Sequence, residues 1–124
     1  MRHLIWIFAV ASLLAVMPIG PAFSKPPPTG FTLFQWCSIN NPKSVLAYQK
    51  QLSCIVYIMG VGDHVAFVRK TDKKAFRFFC ASPKVKTGQV RLIYIKWAKK
   101  YPEKLHLPAA WALMMALNAV FPCE

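Results

Sequence analysis

The chain has 124 residues, of which 16 are Lys or Arg and only four are Asp or Glu, a formal charge of +12. This length holds one small domain. So few carboxylates leave a poor supply for a paired-carboxylate hydrolase, while the charge points to an anionic partner or surface, with plain solubility as the alternative.

Arg2 and His3 make a basic start, Leu4 to Val16 an apolar run, and Pro18 and Gly20 break it before the small residues of Ala22-Phe23-Ser24. This pattern predicts a signal peptide over 1–24, cut after Ser24, and a single mature domain over 25–124. The apolar run falls short of the roughly 20 residues of a bilayer span, and an uncleaved anchor is the alternative. Lys25-Pro26-Pro27-Pro28 reads as a stiff, extended start to the mature chain. All four cysteines, Cys37, Cys54, Cys80 and Cys123, lie beyond the cut. An even set in an exported chain predicts disulfides, and four cysteines allow three connectivities. Their spacing does not suit a zinc knuckle, and His64 and His106 are far apart, so no metal or other cofactor is expected.

Phe31 to Ser38 predicts a short helix capped by Thr29 or Thr32 and stopped by Asn40-Asn41-Pro42. Ser44 is placed to cap a long second helix reaching about Lys70, because Cys54, Ile58, Val61, Val65 and Val68 recur on one helical face. Arg69, Lys70, Lys73, Lys74 and Arg77 crowd its end, where the helix dipole favours cations. They read as a solvated helix end or, with Phe76, Phe78 and Phe79 interleaved, as a partner-binding patch.

Cys80-Ala81-Ser82-Pro83 reads as a tethered turn and Thr87 as the N-cap of a third helix, whose core face is Val90, Ile93, Tyr94, Trp97 and Tyr101. Arg91, Lys96 and Lys99 lie opposite, and Leu92 and Ile95 fall among them. Two apolar side chains on a basic face mark either a contact with another chain or ordinary surface exposure. After a connection over Glu103 to Leu107, Pro108 starts a last helix, Ala109 to Phe121, apolar nearly all round and so expected to be enclosed. No stretch alternates as a strand does. The expected fold is all-α, a compact four-helix disulfide-stabilised bundle after a cleaved signal peptide.

Within the second helix, Gly60, Gly62 and Asp63 interrupt an apolar run. A glycine inside a helix costs about 1 kcal/mol relative to alanine, so an offsetting gain is required. The expectation is close approach of the last helix, with Trp111, Met114 and Met115, onto the bare glycines. Asp63 shares a line with Ile55, Met59 and Phe67. It is expected to be enclosed and to accept hydrogen bonds from the unpartnered N–H groups around Thr87, Gly88 and Gln89, a surface Lys or Arg being the alternative. No nucleophile or phosphate-loop pattern accompanies these residues, and the chain reads as a non-enzyme.

Five segments together resemble one family. They are C-I-V-Y-I-M-G-V-G-D at Cys54 to Asp63, F-C-A-S-P at Phe79 to Pro83, V-K-T-G-Q-V at Val85 to Val90, Y-P-E-K-L-H-L-P-A-A at Tyr101 to Ala110 and A-L-N-A-V-F-P-C at Ala116 to Cys123. In this order they resemble the Rap/Tai immunity proteins. The resemblance implies a periplasmic, helical, disulfide-containing homodimer that protects the cell from a peptidoglycan amidase delivered by type VI secretion, as the immunity half of a toxin–antitoxin pair. It would act by occluding the amidase groove. Separately, the export signal argues against a nucleic acid partner, and no stable membrane insertion is expected once the signal is cut.

The candidate partner-binding residues are Tyr101, Glu103, Lys104 and His106 in the connection before the last helix, with Leu92, Ile95 and Lys99 beside it. A dimer through Leu92 and Ile95 would compete with their use against the amidase. The helix plan makes Cys37 and Cys54 antiparallel neighbours, which leaves Cys80 to pair with Cys123. The alternative function is a periplasmic binding or stress protein of the same fold that holds anionic surfaces or proteins.

Overall fold

The computed structural model describes residues 25–72 and 78–123. The expected signal peptide over 1–24 and the basic stretch with Lys73, Lys74, Phe76 and Arg77 lie outside the described residues. Four α-helices follow in order: α1 Gly30–Cys37, α2 Val45–Thr71, α3 Thr87–Lys100 and α4 Ala109–Asn118, with a 3-10 turn Pro102–Lys104 between the last two. Among the described residues the only β-type pairing is an isolated antiparallel bridge between Thr29 and Pro108.

Local chemistry sets the helix starts. The Thr29 hydroxyl accepts from the Thr32 N–H at 3.3 Å, and the Ser44 hydroxyl accepts from the Ala47 N–H at 3.1 Å, so each satisfies an N–H that has no partner within its helix. At α3 the cap falls on Lys86, one residue before the expected Thr87. The Gln89 side chain turns back there to accept from the Lys86 N–H at 2.9 Å. α4 ends at Asn118, three residues before the expected end at Phe121.

The shortest helix is the most central. α1 packs against α2, α3 and α4, whereas α2 and α4 do not adjoin closely. A Cβ on Gly30 would lie 3.0 Å from the Ala112 Cβ and 3.2 Å from the Leu105 carbonyl oxygen. The absence of that carbon is what permits α1 and α4 to touch. The Gly30 carbonyl accepts from the buried Tyr94 hydroxyl at 2.7 Å, and the Gly30 N–H donates to the Leu107 carbonyl at 2.8 Å. One residue therefore joins α1, α3, α4 and the connection before α4. Around it Leu33, Cys37, Cys54, Ile58, Tyr94 and Leu113 form the core.

Both disulfides have the pairing that the helix plan gave: Cys37–Cys54 and Cys80–Cys123, with sequence separations of 17 and 43. Each closes a loop, worth about 2 to 4 kcal/mol for a domain of this kind. The first is reinforced by a residue that periodicity assigned to the basic face. The Arg91 guanidinium donates at 2.8 Å to the carbonyls of Cys37 and Ile39 and to the Asn40 Oδ1, closing off the end of α1. Near the second, the Cys80 N–H donates to the Phe121 carbonyl at 2.8 Å. Arg69 is not a solvated cation either: it donates to the Phe79 carbonyl and lies 5.2 Å from the centre of the Phe79 ring.

The glycines of α2 overturn the expectation placed on them. A Cβ at Gly60 or Gly62 would meet nothing within 4 Å, and both residues are exposed, as is Asp63. α4 does not close on them because its near side is held at Gly30 instead. Asp63 therefore does not cap α3, a task that Gln89 performs. Two further expectations need correcting: α4 is enclosed on one side only, with Trp111 exposed, and Ile95 is half-buried against the core instead of standing in the basic face.

Two stability predictions follow from these contacts. Gly30→Ala is expected to lower stability by about 1 to 3 kcal/mol through overpacking, whereas Gly60→Ala, in an open helix interior, raises it by up to about 1 kcal/mol; thermal melts of the two variants check both signs. Burial, with the neighbouring Tyr57 phenol adding to it, pushes the Tyr94 phenol well above its ordinary value. The neutral phenol is thus the folded form, so its contribution is intact below the ordinary Tyr pKa of about 10 and is lost as pH rises beyond it. Melting temperature should accordingly fall above about pH 10, and the fall should be shallower in Tyr94→Phe.

Candidate partner-binding surface

The connection between α3 and α4 is fixed by the N-terminal side of α1. Besides the Gly30 contact, the Phe31 N–H donates to the Leu105 carbonyl at 2.8 Å and the Ala109 N–H donates to the Pro28 carbonyl at 2.9 Å. Leu105 is buried, so it anchors the loop from within while its neighbours face out. Glu103 and His106 are exposed, and Tyr101 and Lys104 are half-buried. His106 Nδ1 lies 2.8 Å from the Glu103 carbonyl oxygen. A carbonyl only accepts, so Nδ1 is the donor in this contact.

The Tyr101 ring organises the charge at this end. Its centre lies 4.6 Å from the Lys104 Nζ and 5.3 Å from the Lys100 Nζ, and 5.5 Å from the Trp97 ring. Each such ammonium–ring contact is worth roughly 0.5 to 1 kcal/mol at an exposed site, enough to hold two lysines beside one aromatic. A groove of about 380 Å³ runs on from here, with Ile93, Trp97 and Ala116 in its lining and Lys96 and Lys100 among its polar residues. Apolar lining beside lysines suits a partner that offers an apolar side chain flanked by carboxylates.

The structure thus gathers Tyr101, Glu103, Lys104 and His106 on one loop and places Lys99, exposed, at the adjoining end of α3. Leu92 lies further up that helix and is 63% exposed. Ile95 does not join it, and Gly60, Gly62, Asp63 and Gln89 lie on other elements. Sequence reasoning missed the part played by Lys100, Lys96 and Trp97. The signal was there in Lys96 and Lys100, four residues apart and so on one side of α3, next to Trp97.

A second opening lies between α2 and α4. It measures about 570 Å³ and is lined by Val56, Tyr57, Gly60, Val61, His64, Val65, Ala110 and Met114. Burial raises the Tyr57 phenol, opposed by a hydrogen bond with the Ala110 backbone. His64 borders this groove, away from His106. The disulfides take up all four cysteines, so no thiol is available as a nucleophile.

Leu92→Ala should change folding stability by no more than about 0.5 kcal/mol, and Leu105→Ala should cost about 2 to 5 kcal/mol; denaturant titration of each variant separates the surface residue from the loop anchor. No curated protein matches the chain. The model of the Rap1a immunity proteins matches residues 29–123, which takes in all four helices and both disulfides. The chain belongs to the Rap1a immunity protein family.

Proposed function

We propose that this chain is a periplasmic immunity protein that binds a peptidoglycan amidase delivered by type VI secretion and protects the producing cell by occupying the amidase's substrate groove. The observation that carries the reading is the family match across residues 29–123. Both closed disulfides agree with an oxidising compartment, and export by a leader over 1–24 would deliver the chain there.

Inhibition of this kind requires no chemistry from the inhibitor. Charge accelerates the encounter, and a few aromatic or apolar anchors hold the complex once formed. The loop end supplies both: Lys99, Lys100 and Lys104 for steering, and Tyr101 with the Trp97-lined groove for anchoring. The proposed protein is not an enzyme, uses no cofactor and acts as a homodimer, leaving the loop of each copy for one amidase.

The test is to mix the exported protein with candidate type VI peptidoglycan amidases and to measure complex formation and peptidoglycan hydrolysis. A stable complex with hydrolysis suppressed is expected. Lys104→Glu combined with His106→Ala should weaken binding by at least about tenfold, the cost of losing an interface hot spot, with the melting temperature little changed. A complex unaffected by these changes would move the site elsewhere, and hydrolysis that continues at saturating protein would contradict the reading altogether.

A further inference from the structure

Gly62 has no task in the packing of the helices. A Cβ there would meet nothing within 4 Å, and the space it would enter is a pocket of about 400 Å³ between α2 and the segment 79–85. Gly62 and Ala66, one turn apart on α2, form a small-residue wall, and the pocket reaches inward to the buried Leu113 and Leu117 of α4. The opposite wall is held in place. Cys80 is bridged to Cys123, its N–H donates to the Phe121 carbonyl at 2.8 Å, and the Val85 N–H donates to the Ser82 carbonyl at 3.0 Å. Arg69 reaches across from α2 to the Phe79 carbonyl. A helical face without bulk, opposite a tethered turn, keeps the space open.

We infer that this pocket binds a free fatty acid, with the chain against Leu113 and Leu117 and the carboxylate at Arg69. Its volume lies within the roughly 300 to 1,000 Å³ of small-molecule sites. At roughly 30 Å³ for a methylene, about the share of one water molecule in the liquid, it takes on the order of a dozen carbons, which is one acyl chain and not the pair of a phospholipid. Among the described residues of the lining, only Arg69 and Ser82 have polar side chains. A guanidinium offers five N–H donors, so Arg69 can hold the Phe79 carbonyl and a carboxylate together, and the Ser82 hydroxyl is a further donor.

The charge around the mouth selects the head group. Lys70, Lys84 and Lys86 are exposed and adjoin lining residues in the chain, against Asp72 at the end of α2. Asp63 is next to Gly62 but stands about 100° further round the helix, and it lines no part of the pocket. A carboxylate is thus favoured over a neutral or cationic head on the same chain. The inference stands apart from the proposed function, because the loop 101–106 contributes nothing to this pocket.

Calorimetric titration of the full chain, exported, purified with its disulfides closed and stripped of lipid, tests the inference without any amidase. Laurate, kept below its micelle concentration, should bind one per chain and raise the melting temperature. Dodecanol should bind at least about tenfold more weakly for want of the charge on Arg69, and dodecyltrimethylammonium should not bind. Gly62→Leu fills the pocket, and because a Cβ there meets nothing it should melt no lower than the wild type without ligand; it should lose laurate binding. Val56→Arg, on the other face of α2, should bind laurate as the wild type does. A wild type that ignores laurate would overturn the inference, as would laurate binding that survives Gly62→Leu or equal binding of all three head groups. So would laurate binding lost on Val56→Arg, which would place the lipid on the exposed face of α2.

Discussion

A helix of only eight residues lies against α4 so closely that a single added carbon on Gly30 would stand 3.0 Å from Ala112. The rest of the arrangement depends on this contact. With the Gly30 carbonyl taken by Tyr94 and its N–H by Leu107, α1 fixes both the neighbouring helices and the loop between them. That loop contains Tyr101 to His106, so the same contact that closes the core presents the charged surface. α1 has few intrahelical bonds of its own, and an isolated helix this short is marginal in water. Its stability comes from tertiary contact and from the Cys37–Cys54 bridge.

Because α4 is committed to α1, α2 leans on the bundle with one face and is otherwise uncovered. Its opposite face carries more apolar area than a monomer ordinarily leaves in water. The molecule thus has two unlike surfaces. At the α3–α4 loop, lysines surround aromatic rings, which suits a rapid encounter with a charged partner and anchoring of the complex once formed. Along α2, exposed apolar side chains from Val45 to Phe67 stand beside one amide, Gln49, and one carboxylate, Asp63.

Much of the fold was legible in the sequence for local reasons. Thr29 and Ser44 announce their helices, the spacing of Val90, Tyr94, Trp97 and Tyr101 gives the core face of α3, and the order of the helices gives the disulfide pairing. What escaped was long-range. Gly30 looks like an unremarkable residue at a helix start, and nothing near it in the chain reveals that Ala112 lies opposite. Gly60 and Gly62 look like sites of close approach for the last helix, but nothing lies within 4 Å of a Cβ at either, because α4 is held at Gly30. Arg91 reads as a surface cation because its partners, the carbonyls of Cys37 and Ile39, are more than fifty residues earlier. The loop from Tyr101 to His106 was recognisable as a candidate site by its residue types, whereas its groove required the packing of Ile93 and Trp97 against α4.

The central claim is that the loop held against α1 is the surface that meets the amidase, and hydrogen exchange measured by mass spectrometry addresses it most directly. Amides of residues 101–106 should gain protection when the amidase is added. Protection that appears on α2 instead, with residues 101–106 unchanged, would contradict the account.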